Sequence, residues 1–128
     1  MFSANKLNPL FRLHLGRYLT KQIICNKCNN AIKSFEEKET DVRIATRLIS
    51  DVVNKRCDIS IIVSADSDLI PPIEFIREFD PIHKIFVYFP PARFSSNLYS
   101  LCNSSKKLDG AVKQFENSIL PRIICSMG

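Results

Sequence analysis

The sequence predicts an α/β fold of the layered kind, built on a parallel sheet. Three observations carry this. Two short runs rich in β-branched and aromatic residues, DISIIVS at Asp58–Ser64 and KIFVYF at Lys84–Phe89, are each followed by a segment of helical periodicity. An amphipathic helix precedes the first of them. The resulting order of helix, strand, helix, strand, helix is joined by right-handed crossovers when the strands are parallel.

Taken along the chain, residues 1–34 read as an irregular N-terminal segment: Lys6–Thr20 is patchily apolar and Cys25–Asn30 is a polar turn, so neither predicts a strand. The organised core runs over 35–110. From Lys38 to Lys55, Val42, Ala45, Leu48, Ile49, Val52 and Val53 recur at steps of three and four, and Arg43, Arg47, Asp51 and Lys55 follow another side, which predicts a helix with Thr40 as its N-cap. Asp58–Ser64 is continuously apolar, as in a central strand covered on both faces. In Asp68–Asp80, Leu69, Ile73, Phe75 and Ile76 have helical spacing, and Pro71 and Pro72 are tolerated only in a first turn, so the helix begins near Pro71. Lys84–Phe89 is a second buried strand, ended by Pro90 and Pro91. Ser95–Cys102 is a short helix capped by Ser95 or Ser96, and Lys106–Asp109 reads as a further strand. The tail, 111–128, has the makings of one short helix, and there is no repeat or low-complexity segment.

The 128 residues suffice for one domain with a modest core. No apolar run approaches the roughly 20 residues of a membrane-spanning helix, and the N-terminus lacks an uninterrupted signal-peptide core. The five cysteines are odd in number and scattered, which argues against a secreted disulfide framework. Together these predict a soluble, cytoplasmic protein with reduced thiols. A net charge of +5 suits a polyanionic partner such as nucleic acid, although the cations are dispersed. Three glycines cannot supply a Gly-rich phosphate loop, and neither His14 nor His83 has a neighbouring nucleophile pattern, so both histidines read as structural.

In a parallel αβαβ layer each helix starts at the edge where the strands end. That edge collects Asp41 at the first helix, Ser64, Asp66 and Asp68 after the first strand, and Arg93, Ser95 and Ser96 after the second, around one crevice. Asp41 is in phase with Ala45, Leu48 and Val52, so it leans toward the sheet. Singly, these aspartates are ordinary turn and helix-dipole residues. Converging at one edge, three carboxylates repel one another unless a cation compensates, and oxygen ligands suit Mg²⁺ or Mn²⁺. Such a site favours chemistry on a phosphodiester of nucleic acid.

The segments EEKETDVRIATRLISD, ISIIVSADSDLIPPIEFI and KIFVYFPPARFSSNLYSLC resemble NYN domains, a branch of the PIN-like nuclease superfamily, over Phe35 to Asp109. Thr40-Asp41-Val42, Ser64-Ala65-Asp66-Ser67-Asp68 and Ser95-Ser96-Asn97-Leu98 occupy the family's T-D-V, S-G-D-S-D and S-S-x-L places, in order. The resemblance implies a Rossmann-like three-layer sandwich and metal-dependent cleavage of RNA. It makes Asp41, Asp66 and Asp68 the catalytic, Mg²⁺- or Mn²⁺-binding carboxylates, has Ser64 and Ser67 fix their loop, and turns Arg93, Ser95 and Ser96 toward the RNA phosphate. Two departures stand out. Ala65 replaces a glycine, which asks whether the loop needs positive φ there. No apolar strand ending in D-x-x-N precedes Phe35, so the expectation is an N-terminally shortened copy that lacks the first, central strand and its aspartate. Competing readings are a non-catalytic RNA-binding or protein-interaction module, dimerising with its own copy, and a decayed gene product without a stable fold.

Cys25 and Cys28 have the spacing of half a zinc site; the other ligands would come from an upstream segment or a second chain, or from His14 or Cys57 only if the fold happens to bring them near. Phe75, Phe79, Phe86, Tyr88 and Phe89 read as core. For Tyr99, core packing is favoured over stacking on RNA.

Overall fold

The computed structural model describes residue 5 and residues 7–119. It is a mixed α/β structure in which a two-stranded hairpin precedes a three-stranded parallel sheet. From Arg17 onward the N-terminal segment is therefore not irregular. Strands β1 (Arg17–Ile24) and β2 (Ala31–Lys38) pair antiparallel from Arg17↔Lys38 to Ile23↔Ile32 and Ile24↔Ala31. The reason it escapes sequence reading is that both faces are wet: Leu19, Ile23 and Ile32 lie on one face, Tyr18, Ile24 and Phe35 on the other, all exposed, so no apolar alternation marks the strands. The polar turn at Cys25–Asn30 is the hairpin loop, closed by Cys25 N–H donating to Asn30 O (3.0 Å) and Asn29 N–H to Cys25 O (2.8 Å), with Asn29 at φ 53°.

Helix α1 (Thr40–Val53) follows β2 directly. Thr40 is not its cap. The chain reverses at Glu39, which takes a left-handed conformation (φ 72°) as N-cap without a side-chain bond, and the Thr40 hydroxyl donates instead to Glu37 Oε1 at 2.6 Å. A Cβ on Gly16 would come 2.0 Å from Thr40 Oγ1, so the close approach of the chain before β1 to the start of α1 requires glycine.

Strands β3 (Ile59–Val63), β4 (Lys84–Phe89) and β5 (Ser104–Lys107) are parallel in that order, with Ile59↔Lys84 and Phe86↔Ser104 setting the registers. Between β3 and β4 come a 3-10 turn (Ser67–Leu69) and helix α2 (Ile70–Phe79), with both prolines in its first turn; between β4 and β5 comes α3 (Ser96–Leu101); α4 (Val112–Asn117) ends the described chain. The tail beyond residue 119, and residues 1–4 and 6 of the N-terminal segment, lie outside the described residues. No helix among the described residues is long and apolar enough to cross a membrane.

One core forms where Ile62, Ile85, Val87 and Phe89 of the sheet meet Val52 of α1, Leu69, Ile73 and Ile76 of α2 and its lead-in, and Leu98 of α3. Ile73, Ile76, Ile85, Val87, Phe89 and Leu98 are fully buried, each contributing about 2 kcal/mol of transfer free energy. The expected centrality of Asp58–Ser64 does not hold among the described residues: β3 is there an edge strand whose burial alternates, with Ile59, Ile61 and Val63 exposed on the face opposite the core. A short apolar run does not distinguish two covered faces from one. Of the aromatics expected in the core, Phe89 is fully buried and Phe86 and Tyr88 half-buried, whereas Phe75 and Phe79 stack on each other in solvent (6.0 Å, 9°).

Polar links tie the sheet to the loop before β4 and to α2. At the start of β3, Ser60 Oγ and His83 Nε2, both buried, hydrogen-bond at 2.9 Å, which makes His83 structural as expected. From α2, the Arg77 guanidinium donates to Leu101 O (2.9 and 3.1 Å), to His83 O (2.9 Å) and to Asn103 Oδ1. Asn103 also accepts from Ile85 N–H through its side chain (2.7 Å) and donates its own N–H to Ile85 O (2.8 Å), so β5 docks early and spans Ser104–Lys107 rather than Lys106–Asp109.

Arg77→Lys should lower stability in urea unfolding by about 2 kcal/mol, because an ammonium cannot reach all three acceptors that the planar fork serves. In the hairpin, hydrogen bonds from Lys21, then Lys38, hold the Glu36 carboxyl down from its ordinary 4.5 to about 2. Its contribution to holding the hairpin is present above the ordinary value and lost as pH falls from about 4.5 towards 2. The protection of β1 and β2 amides, measured relative to their intrinsic exchange rates at each pH, should fall over that window, and Glu36→Gln should remove this loss.

Candidate metal centre

The C-terminal edge of the parallel sheet gathers the acidic residues. Asp41 lies in the first turn of α1, where a negative side chain complements the helix dipole. Asp66 and Asp68 follow β3 in a loop that builds its own scaffold: Asp66 N–H donates to Ser64 Oγ (3.0 Å), and Asp68 N–H donates to Asp66 Oδ1 (3.1 Å), which makes Asp66 the cap of the 3-10 turn. One carboxylate oxygen from each of Asp41, Asp66 and Asp68 lies within 4.8 Å of the others, and all three residues are exposed.

The closeness costs little in water. Unit charges 4.8 Å apart repel by about 0.9 kcal/mol per pair at bulk dielectric, about 2.6 kcal/mol over the three pairs, a cost that solvent can bear without an ion. The donor chemistry nonetheless fits a hard divalent cation. The oxygens are carboxylate, the Asp66 oxygen engaged by Asp68 N–H leaves the second one free, and exposure leaves room for water or a substrate oxygen to complete six-fold coordination. Glu39, close in sequence to Asp41, is taken up otherwise: Arg43 (2.8 Å) and Arg17 (3.4 Å) pair with it, and the Arg43 hydrogen bond foremost holds its carboxyl below the ordinary value.

A groove of about 700 Å³ opens beside the cluster, between the loops that leave β3 and β4; Ser64, Asp66, Ser67, Ala92, Arg93 and Phe94 line it. Arg93 is exposed and has no ion-pair partner among the described residues. Ser64 and Ser67 thus lie at the site, the first as a scaffold for Asp66. Ser95 and Ser96 stand further along: Ser95 Oγ caps α3 by accepting from Leu98 N–H (3.4 Å), and Ser96 opens that helix. Ala65 is not among the residues with positive φ, so the loop does not need a glycine at this place. The strained position is Ala92, at φ 59°, whose N–H donates to Asp109 Oδ1 at 2.7 Å.

The cysteine pair sits in the hairpin loop. Backbone N–H groups of Lys27 and then Cys28 stabilise the Cys25 thiolate and lower its pKa. Among the described residues no third His, Cys, Asp or Glu joins Cys25 and Cys28 in a metal-ligand cluster, and His14 and Cys57 line a different groove, beside β3. Sequence reasoning missed two features of the site region: Phe94, and Asp109 as the anchor of its loop. Tyr99, expected in the core, is 58% exposed.

No curated protein and no solved structure matches this chain. The NYN domain model matches residues 13–109, beginning ahead of Phe35 and so taking in the hairpin as well as the parallel sheet. With that match spanning most of its length, and three acidic side chains gathered at the sheet edge, the chain belongs to the NYN domain family.

Proposed function

We propose that this chain is a divalent-metal-dependent ribonuclease domain that cuts RNA phosphodiesters. The observation that supports it is the convergence of Asp41, Asp66 and Asp68, delivered by a helix start and a strand end to one point beside an open groove. In this reading the three carboxylates hold Mg²⁺ or Mn²⁺. When bound, such an ion neutralises charge on the phosphodiester and lowers the pKa of a water. Ser64 keeps Asp66 oriented, Ser67 lines the strand's path, and the exposed Arg93 guanidinium takes a phosphate oxygen in the groove. Ser95 and Ser96 act later along the RNA, and the net charge of +5 favours the polyanion's approach. The sheet is then that of a PIN-like three-layer sandwich in which the position beside β3 is open.

A second reading, a binding module without chemistry, draws on that open position. The edge of β3 and the flank of α1 enclose a groove of about 500 Å³ lined by Ile44, Leu48, Ile59 and Ile61, and an unpaired edge is a natural docking place for an RNA-independent partner or a second copy. A cleavage assay separates the two. With Mn²⁺ and end-labelled RNA, the wild type should cut. Asp66→Asn should lose more than the roughly 10–100-fold that removal of an outer-shell partner costs, and a chelator should stop the reaction. Equal cutting by both proteins would rule out the ribonuclease reading.

A further inference from the structure

We propose that Phe94, backed by Tyr99, is an aromatic platform on which an unpaired base of single-stranded RNA stacks beside the carboxylate cluster. The proposal rests on the ribonuclease reading and adds to it the form of the substrate. Phe94 is 48% exposed although its loop gives it access to the core, and it lines the same groove as Asp66, Ser67 and Arg93. Its ring is braced from beneath. Phe89, fully buried, packs against it at 4.8 Å and 57°, and Tyr99 stands beside it at 5.9 Å and 50°. A braced ring loses little rotamer freedom on binding, so the contact keeps most of its stacking free energy.

The loop is held in place too. Ala92 keeps its left-handed conformation, its N–H is taken by Asp109, and Arg93 N–H closes a turn on Pro90 O at 3.1 Å. Asp109 is thereby a positioning residue for Arg93 and Phe94. The electron-rich face of Phe94 already receives a cation, with Lys107 Nζ 4.2 Å from the ring centroid. A base seated there displaces the Lys107 ammonium, which is exposed and free to move onto a neighbouring phosphate. Flat rings interleaved with exposed cations (Arg93, Phe94, Tyr99, Lys106, Lys107) match a single strand, whose bases present open faces; a duplex buries those faces in its own stack.

Fluorescence anisotropy in chelator, on the full chain with labelled single-stranded RNA, tests this without cleavage. Phe94→Leu, which keeps an apolar contact on Phe89, should weaken binding about tenfold, and Phe94→Trp should preserve it; melting temperatures of both variants control for folding. Scanning one abasic site along the RNA should find a position that costs the wild type the same factor and costs Phe94→Leu nothing more. Duplex RNA should bind more weakly than the single strand. Equal affinity of wild type and Phe94→Leu, or of duplex and single strand, overturns the platform while leaving any Mn²⁺-dependent cleavage standing. A Phe94-dependent affinity without cleavage keeps the platform and removes the reaction. A wild type that neither binds nor cleaves overturns both.

Discussion

The structure depends on β4, which among the described residues is the strand of the parallel sheet with a neighbour on each side. Ile85, Val87 and Phe89 alternate inward from it and are fully buried, and α1, α2 and α3 all lend side chains to the core they form. Because the crossover helices run back against parallel strands, whatever follows β3 and β4 must emerge at the same edge as whatever begins α1. The acidic cluster is a consequence of that pairing, and Asp41, some 25 residues from Asp66, has no local reason to be near it. Phe89 extends the same dependence to the groove, since the last inward residue of β4 is also the support of Phe94.

Within the site, hydrogen bonds do what burial does elsewhere. Asp41, Asp66 and Asp68 are exposed, so their geometry is not imposed by packing. Ser64 and the Asp68 N–H orient Asp66, Arg43 and Arg17 draw Glu39 aside, and the helix dipole favours Asp41. The arrangement suits a centre that must exchange water and admit a polymer, because dehydrating three carboxylates in advance would be costly.

The parts of the fold governed by local chemistry were legible in the sequence. β4 ends before its prolines, α2 begins with its own, and Ser95 caps α3. The meeting of the three aspartates was legible as well, because it follows from the order of elements. What could not be read were properties set by distant partners. The strand at Ile59–Val63 looks the same in sequence whether one face is covered or two, the hairpin buries neither face, and Glu39 becomes the cap of α1 through the way β2 enters the helix. Ala65 drew attention as a replaced glycine, yet the left-handed residue is Ala92, whose conformation is stabilised from Asp109 in a later segment. Phe94 was indistinguishable in sequence from any loop phenylalanine.

Among the described residues the outer edge of β3 is unpaired, which bears on association. Ile59–Val63 contains no charge and no proline, the devices by which edge strands ordinarily refuse an incoming copy. The groove alongside is lined by Arg43, Arg47 and Asp51 of α1, with Arg47 paired to Asp51 at 3.1 Å, so a strand added at that edge would lie next to an ion pair. The charges that flank this edge thus come from a neighbouring helix rather than from the strand itself.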